Sequence, residues 1–182
     1  MILIGLGSNL AGTQHDSPRS TLKAALAQMT NCGIAIIKKS RLYESEPVPK
    51  SDQPWFANAV VAVETALSAA ELLRTLHGIE ENLGRERRVR WEARIIDLDI
   101  LAYDNEIYPA PEYWHEAAKN ITSRKMIIPH PRLHERLFVL KPLMDICPDW
   151  KHPLSGKTVR EYVEMMEKMA ADGVIRALQT SI

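Results

Sequence analysis

The segments along the chain run strand, helix, strand, strand, helix, strand, and this order predicts an α+β protein of the ferredoxin-like βαββαβ type, a sandwich whose antiparallel sheet carries helices packed on one face. The length, 182 residues, suits a single domain spanning 1–182. Apolar residues at 46% and charged residues at 25% are ordinary globular values, enough for one core and with no sign of a disordered or membrane-spanning chain.

Each element has its own signal. ILIGLG at the start reads as a buried strand that runs into the polar loop SNLAGTQHD. Ser17 as N-cap and Pro18 at the first helical position open a helix, with Leu22, Ala25, Leu26 and Met29 on one face. IAIIKKSRLYE, rich in β-formers, reads as one second strand ending at the proline-rich loop SEPVPKSDQP. In the next strand, WFANAVVAVET, the period of two puts Phe56, Asn58, Val60, Ala62 and Glu64 on one face. Ser68 and Glu71 form a capping box for a helix that buries Leu72, Leu76, Ile79 and Leu83, and Gly84 is placed to end it. The strand IIDLDILAYD follows, with its turn at Asp104-Asn105.

Beyond that unit the pattern weakens. Residues 108–125 mix prolines, aromatics and charges and read as a long loop, an insertion, with at most a helical turn at His115 to Lys119. LHERLFVLKPLMDI is helical at least to Pro142. An amphipathic C-terminal helix spans about 158–169, with Val159, Tyr162, Val163 and Met166 on one side.

Composition narrows the function classes. Lys plus Arg and Asp plus Glu number 23 each, so no global charge draws the chain to nucleic acid or an anionic membrane. Sheets of this type also bind RNA, but neither a basic sheet face nor an RNP-like aromatic pattern is present. The two cysteines, Cys32 and Cys147, sit in no ligand-like spacing and suit free buried thiols in a reducing compartment. The N-terminal run turns polar by Ser8, too short for a signal or membrane segment, so we expect a cytoplasmic protein.

The chemistry concentrates in RWEARIIDLDIL, residues 90–101. In a strand Asp97 and Asp99 share a face about 6.5 Å apart, from the rise per residue, while Ile96, Leu98 and Ile100 face the core. Two carboxylates so close repel unless something positive stands between them. A hard divalent cation such as Mg²⁺ meets that need, since one or two carboxylates plus substrate phosphates suffice to hold it. Pairing with nearby arginines meets it equally well. Residues 85–94 carry five arginines against two glutamates, a local charge of +3, and the guanidinium fork binds phosphate bidentately. The two features together point to a nucleoside triphosphate and a metal-dependent nucleotidyl or phosphoryl transfer. It is not a P-loop: GKT at Gly156 to Thr158 has Lys151 where that motif needs its first glycine. GLGSNL lacks the third glycine of a dinucleotide fingerprint. His130 and His134 lack a third zinc ligand, and His130, near Arg132 and Arg136, suits anion binding better.

GLGSNL, YESEPV, DQPWFANAVVAVET, IEENLGRERRVRW, RIIDLDIL and IPHPRLHERLFVLKPL stand in this order over most of residues 1–162, and in them the chain resembles the 6-hydroxymethyl-7,8-dihydropterin pyrophosphokinases of folate biosynthesis. The resemblance implies the same ferredoxin-like fold, and transfer of pyrophosphate from MgATP to the pterin hydroxymethyl group with release of AMP. It assigns two Mg²⁺ ions to Asp97 and Asp99, and catalytic roles to Arg85, Arg87 and Arg94. It places Glu80, Trp91, Ile100, His130 and Arg136 on the nucleotide side. Ser45, Pro47, Val48, Phe56, Asn58 and Phe138 fall to the pterin, with the two phenylalanines stacking on its ring. ATP and the pterin are then the partners, and dihydropteroate synthase, the next enzyme, is a further one. The resemblance gives residues 108–125 no role.

Overall fold

The computed structural model describes residues 1–11, 15–48, 50–85, 95–119, 126–169 and 174–182. Six strands form one antiparallel sheet: β1 (Ile2–Ser8), β2 (Ala35–Lys39), β3 (Arg41–Ser45), β4 (Phe56–Glu64), β5 (Asp97–Tyr103) and β6 (Ile175–Ser181). Its order is β5-β1-β4-β3-β6, with β2 also pairing β4.

Two helices of the predicted unit cover one face. In α1 (Pro18–Asn31) the Ser17 side chain accepts from the Ser20 N–H and Pro18 takes the first turn, where no backbone donor is needed. In α2 (Ala69–Asn82) Ser68 and Glu71 cap each other, and the chain leaves through Gly84 at φ 91°, a left-handed conformation open to glycine. Leu22, Leu26, Leu72 and Leu76 pack there on Ile4, Leu6, Val61, Leu98 and Ile100. This is the main core.

The second face departs from the expectation that helices pack on one face only. The helix α4 (Leu137–Ile146) and the C-terminal helix α5 (Val159–Met169) lie over part of it, enclosing Leu3, Val60, Ala62, Leu101, Leu140 and Val163. Pro142 sits inside α4 and does not end it. α4 is clamped to the sheet by Asp145, which accepts from the Arg41 guanidinium at 2.7 Å and from the Tyr43 hydroxyl at 3.1 Å.

Other differences have local causes. The predicted second strand is two, because Ser40 inserts an extra residue opposite β4: its N–H donates to the Val60 carbonyl and its hydroxyl accepts from the Val60 N–H, both at 3.0 Å. Within the insertion, residues 111–119 form a full helix, α3 (Pro111–Lys119), anchored by the buried Trp114. Tyr108 and Ile128 pair at its base. A single 3-10 turn at Leu133–Glu135 precedes α4. Strand β6, which periodicity did not reveal, extends the sheet along β3. Cys147 is buried, its thiol pushed up to about 11 by desolvation, whereas Cys32 is exposed. No helix among the described residues is long and apolar enough to cross a membrane.

Candidate active site

On the face opposite α1 and α2, three strands make the floor of a groove. The alternation that sends Leu98 and Ile100 into the main core turns Asp97 and Asp99 toward this face. Beside them Gly7 stands opposite Asp97 and Gly5 opposite Asp99. β4 continues both rows, with Asn58 opposite Gly7 and Val60 opposite Gly5. The middle of the floor therefore carries no side chains. A Cβ at Gly7 would come 3.6 Å from Asn58 Oδ1, and one at Gly5 would meet Leu101 at 3.3 Å. Above the floor lies a cavity of about 250 Å³.

One end is aromatic and amide-lined. Phe56 enters from the start of β4 and Phe138 from the first turn of α4, and Ser45, Pro47 and Val48 close the side. Asn58 donates through Nδ2 to Ser45 Oγ at 2.9 Å and to the Phe56 carbonyl at 3.3 Å. That fixes the amide plane and presents Oδ1, the acceptor, beside Gly7.

The opposite end is charged. Asp97, Asp99, His130 and Arg136 line the same cavity. Arg85 reaches Asp97 at 2.8 Å from behind and also pairs with Glu80. Desolvation opposes its positive charge, but Asp97, Glu80 and Asp99 outweigh it and hold its pKa above the usual value. Glu80 is 1% exposed. It accepts from the Leu98 N–H at 2.7 Å, and burial raises its pKa to about 7 against the opposing pull of Arg85. His130 Nδ1 accepts from the Arg132 N–H at 3.2 Å, which leaves the ring proton on Nε2. Burial first, then Arg136, lowers its pKa to about 3, so the imidazole is neutral.

Ten of the residues singled out by the sequence thus meet at one cavity. Three others do not line it. Ile100 points into the main core, where its side chain serves packing. The buried Glu80 and the partly buried Arg85 pair with each other, and Arg85 reaches Asp97, without lining the groove. Arg87, Trp91 and Arg94 lie outside the described residues, as do Pro49, Glu92 and Ala93.

Sequence reasoning missed several parts. Gly5 and Gly7 belong to the GLGSNL run, whose reading as a strand and as a family segment gives no sign that its glycines form the groove floor. In the same run Ser8 donates to the Ile95 carbonyl at 2.6 Å, and buried Asn9 donates to Gln53 at 3.1 Å, tying down the approaches to β5 and β4. β6 holds the ring-side loop from outside: the Glu46 N–H donates to the Val174 carbonyl, and the Arg176 guanidinium lies 4.9 Å over the Trp55 ring. Local periodicity carries no trace of these long-range contacts.

Comparison with known proteins identifies the family and supports the fold. Residues 3–148 match the family model described as 7,8-dihydro-6-hydroxymethylpterin-pyrophosphokinase (HPPK). The chain is 37% identical over 167 residues to a 2-amino-4-hydroxy-6-hydroxymethyldihydropteridine pyrophosphokinase of Bacillus subtilis, covering 91% of this chain and 89% of that one. It is 40% identical over 152 residues to the enzyme of that name from Haemophilus influenzae, covering 84% of each. It is also 41% identical over 163 residues to a folic acid synthesis protein of Pneumocystis carinii, of which it spans only 20%. Among solved structures it resembles Plasmodium falciparum HPPK-DHPS, with a TM-score of 0.68 at 18% identity over 97% of this chain and 47% of that one, a likeness of fold.

Proposed function

The chain belongs to the 7,8-dihydro-6-hydroxymethylpterin-pyrophosphokinase family, and from that premise we propose that it transfers pyrophosphate from ATP to the hydroxymethyl group of 6-hydroxymethyl-7,8-dihydropterin, releasing AMP, in folate synthesis. The observation that carries this reading is the union of two unlike ends in one cavity of about 250 Å³: two phenylalanines and a fixed amide at one, two carboxylates, a neutral histidine and an arginine at the other.

The aromatic end suits a flat heteroaromatic, which needs ring faces and a few placed hydrogen bonds. Phe56 and Phe138 flank the pterin, Asn58 Oδ1 accepts from its amino edge, and Ser45, Pro47 and Val48 close the pocket around it. At the charged end His130 donates through Nε2 to a phosphate oxygen and Arg136 pairs with another. The substrate hydroxyl oxygen bonds to the β-phosphorus of ATP and gives up its proton to water. The bond from that phosphorus to the oxygen bridging to the α-phosphate breaks, and AMP leaves with the electron pair. Such a transfer asks the protein mainly for alignment and charge stabilisation.

The donor set fits Mg²⁺. Asp97 and Asp99 supply only oxygen, and among the described residues no third His, Cys, Asp or Glu joins them, which suits an ion that completes its shell with water and phosphates. We assign two Mg²⁺ ions to this pair; bound there, they would neutralise phosphate charge as Lewis acids. Glu80 and Arg85 hold Asp97 in place behind them. Arg87, Arg94 and Trp91 complete the phosphate side in this reading, on the strength of the family resemblance alone. Free Cys32 and Cys147 support cytoplasmic residence. The HPPK-DHPS pairing in the Plasmodium neighbours supports dihydropteroate synthase as the partner that consumes the product.

The test is AMP release from ATP and Mg²⁺, with and without 6-hydroxymethyl-7,8-dihydropterin. AMP that appears only with the pterin is the expected result. Absence of AMP while ATP binds would reassign the acceptor.

A further inference from the structure

The turn 129–136 brings His130 and Arg136 to the cavity, and it is held from behind by a cluster that takes no part in lining it. The buried Trp114 of α3 donates through Nε1 to the Pro129 carbonyl at 3.2 Å, one residue before His130. The same indole meets the His152 ring edge-on, with centroids 6.2 Å apart. His152 in turn packs edge-on against His134, in the middle of the turn, at 5.7 Å, and against Tyr162 of α5 at 6.1 Å. His152 is 2% exposed and is itself fixed on three sides: its N–H donates to the Lys157 carbonyl, its carbonyl accepts from the Gly156 N–H, and its Nδ1 accepts from the Leu154 N–H. On the side toward the sheet, the His130 N–H donates to the Leu101 carbonyl at 2.9 Å.

The turn is thus gripped between β5 and a wall made by α3, the 150–158 loop and α5. The contacts on the wall are made one residue from His130 and two residues from Arg136, so a displacement of the wall is passed to those two side chains and not to Phe56 or Asn58, which sit on β4. We propose that Trp114 and His152 are positioning residues for the nucleotide end of the site, and that α3, in the segment which the family resemblance leaves without a role, serves to set His130 and Arg136 for phosphate. The inference rests on the assignment of those two residues to the nucleotide.

The change Trp114→Phe keeps a buried aromatic ring, removes the donor to Pro129 and trims the indole to a single ring. Titrate the purified variant separately with a non-hydrolysable ATP analogue in Mg²⁺ and with 6-hydroxymethylpterin, beside the unaltered protein, Tyr113→Phe on the exposed side of α3, and His130→Ala. Losing one buried hydrogen bond should weaken nucleotide binding roughly threefold to tenfold, with pterin binding unchanged within twofold and KM for ATP raised more than kcat is lowered. His152→Asn, which retains an acceptor for the Leu154 N–H, should act in the same direction, and Tyr113→Phe should change nothing. Equal losses for both ligands would mean general destabilisation and would overturn the positioning role. So would unchanged nucleotide binding in a folded Trp114→Phe protein. If His130→Ala itself leaves nucleotide binding intact, the assignment of the nucleotide end fails, whatever the indole does.

Discussion

Gly7 is the direct partner of Asp97 across the β1–β5 ladder, so the Asp97 carboxylate and Asn58, on the other flank of Gly7, are separated by a strand position with no side chain. Gly7→Ala should leave the fold intact, since its methyl would meet only Asn58 Oδ1 at 3.6 Å. The methyl would stand in the groove. Pterin binding should weaken by roughly 1 to 3 kcal/mol, the scale of overfilling a packed site. Calorimetric titration with a pterin decides it, and an unchanged affinity removes Gly7 from the floor of the site.

Asp97→Ala should lower turnover by roughly 100-fold or more, the scale for losing one preorganised electrostatic contact to the transition state. The fold should persist, because Arg85 keeps Glu80 as its partner. Steady-state AMP release and a thermal melt check the two halves. Near-normal turnover in a folded variant would return the two aspartates to a purely structural ion-pair role.

Phe56→Ala should cost pterin binding ~1 to 3 kcal/mol, if stacking of a nucleic-acid base on an aromatic ring is a guide, and should leave ATP binding alone. Competition binding with each substrate separates the effects. A loss shared equally by ATP would place Phe56 in the framework of the site.

Much of this was legible because it is local. Ser17-Pro18 and the Ser68/Glu71 box announce α1 and α2, and the period of two puts Asp97 and Asp99 on one face. What the sequence hid depends on partners far along the chain. The split at Ser40 needs Val60, twenty residues on, to make a side chain stand in for backbone. β6 is a strand only because β3 offers its edge. α3 is short and polar outside Trp114, and it is that indole, through its contacts with Pro129 and His152, that ties the helix to the body of the protein. Pro142, up to which the sequence reads as helical at the least, lies inside α4, where packing on the sheet overrides the break that its missing N–H would favour.

Glu80 is the buried end of the brace behind β5, and Glu80→Ala would leave the Leu98 N–H without its carboxylate and Arg85 with less compensation. Arg85 keeps Asp97 as its partner, and leaving the buried Leu98 donor unsatisfied costs about 1 to 3 kcal/mol. Chemical denaturation at neutral pH should show a loss on that order, whereas an exposed carboxylate would show under about 1 kcal/mol.

Stability should fall as the solution is acidified from pH 6.5 toward 5, before ordinary carboxylates titrate. His130, His152 and His134 are all held below the usual imidazole value, the first two to about 3 and about 4, by desolvation foremost. In the unfolded chain each titrates near 6.5. Below that pH the unfolded state binds protons that the native state refuses, so their contribution is full above about 6.5 and is lost as pH falls through the folded values. Glu80 runs the other way: with its pKa raised to about 7, the fold holds a proton that the unfolded chain releases, and this partly offsets one imidazole. The net uptake on unfolding should be at least one proton, His130 and His152 against Glu80 with His134 adding to it, each proton worth about 1.4 kcal/mol per pH unit. Denaturant titrations at pH 7.5, 6.0 and 5.0 measure it directly. His152→Asn should reduce the slope by about one proton and Glu80→Gln should steepen it, while a flat profile in the unaltered protein would mean that these imidazoles take up their protons without unfolding.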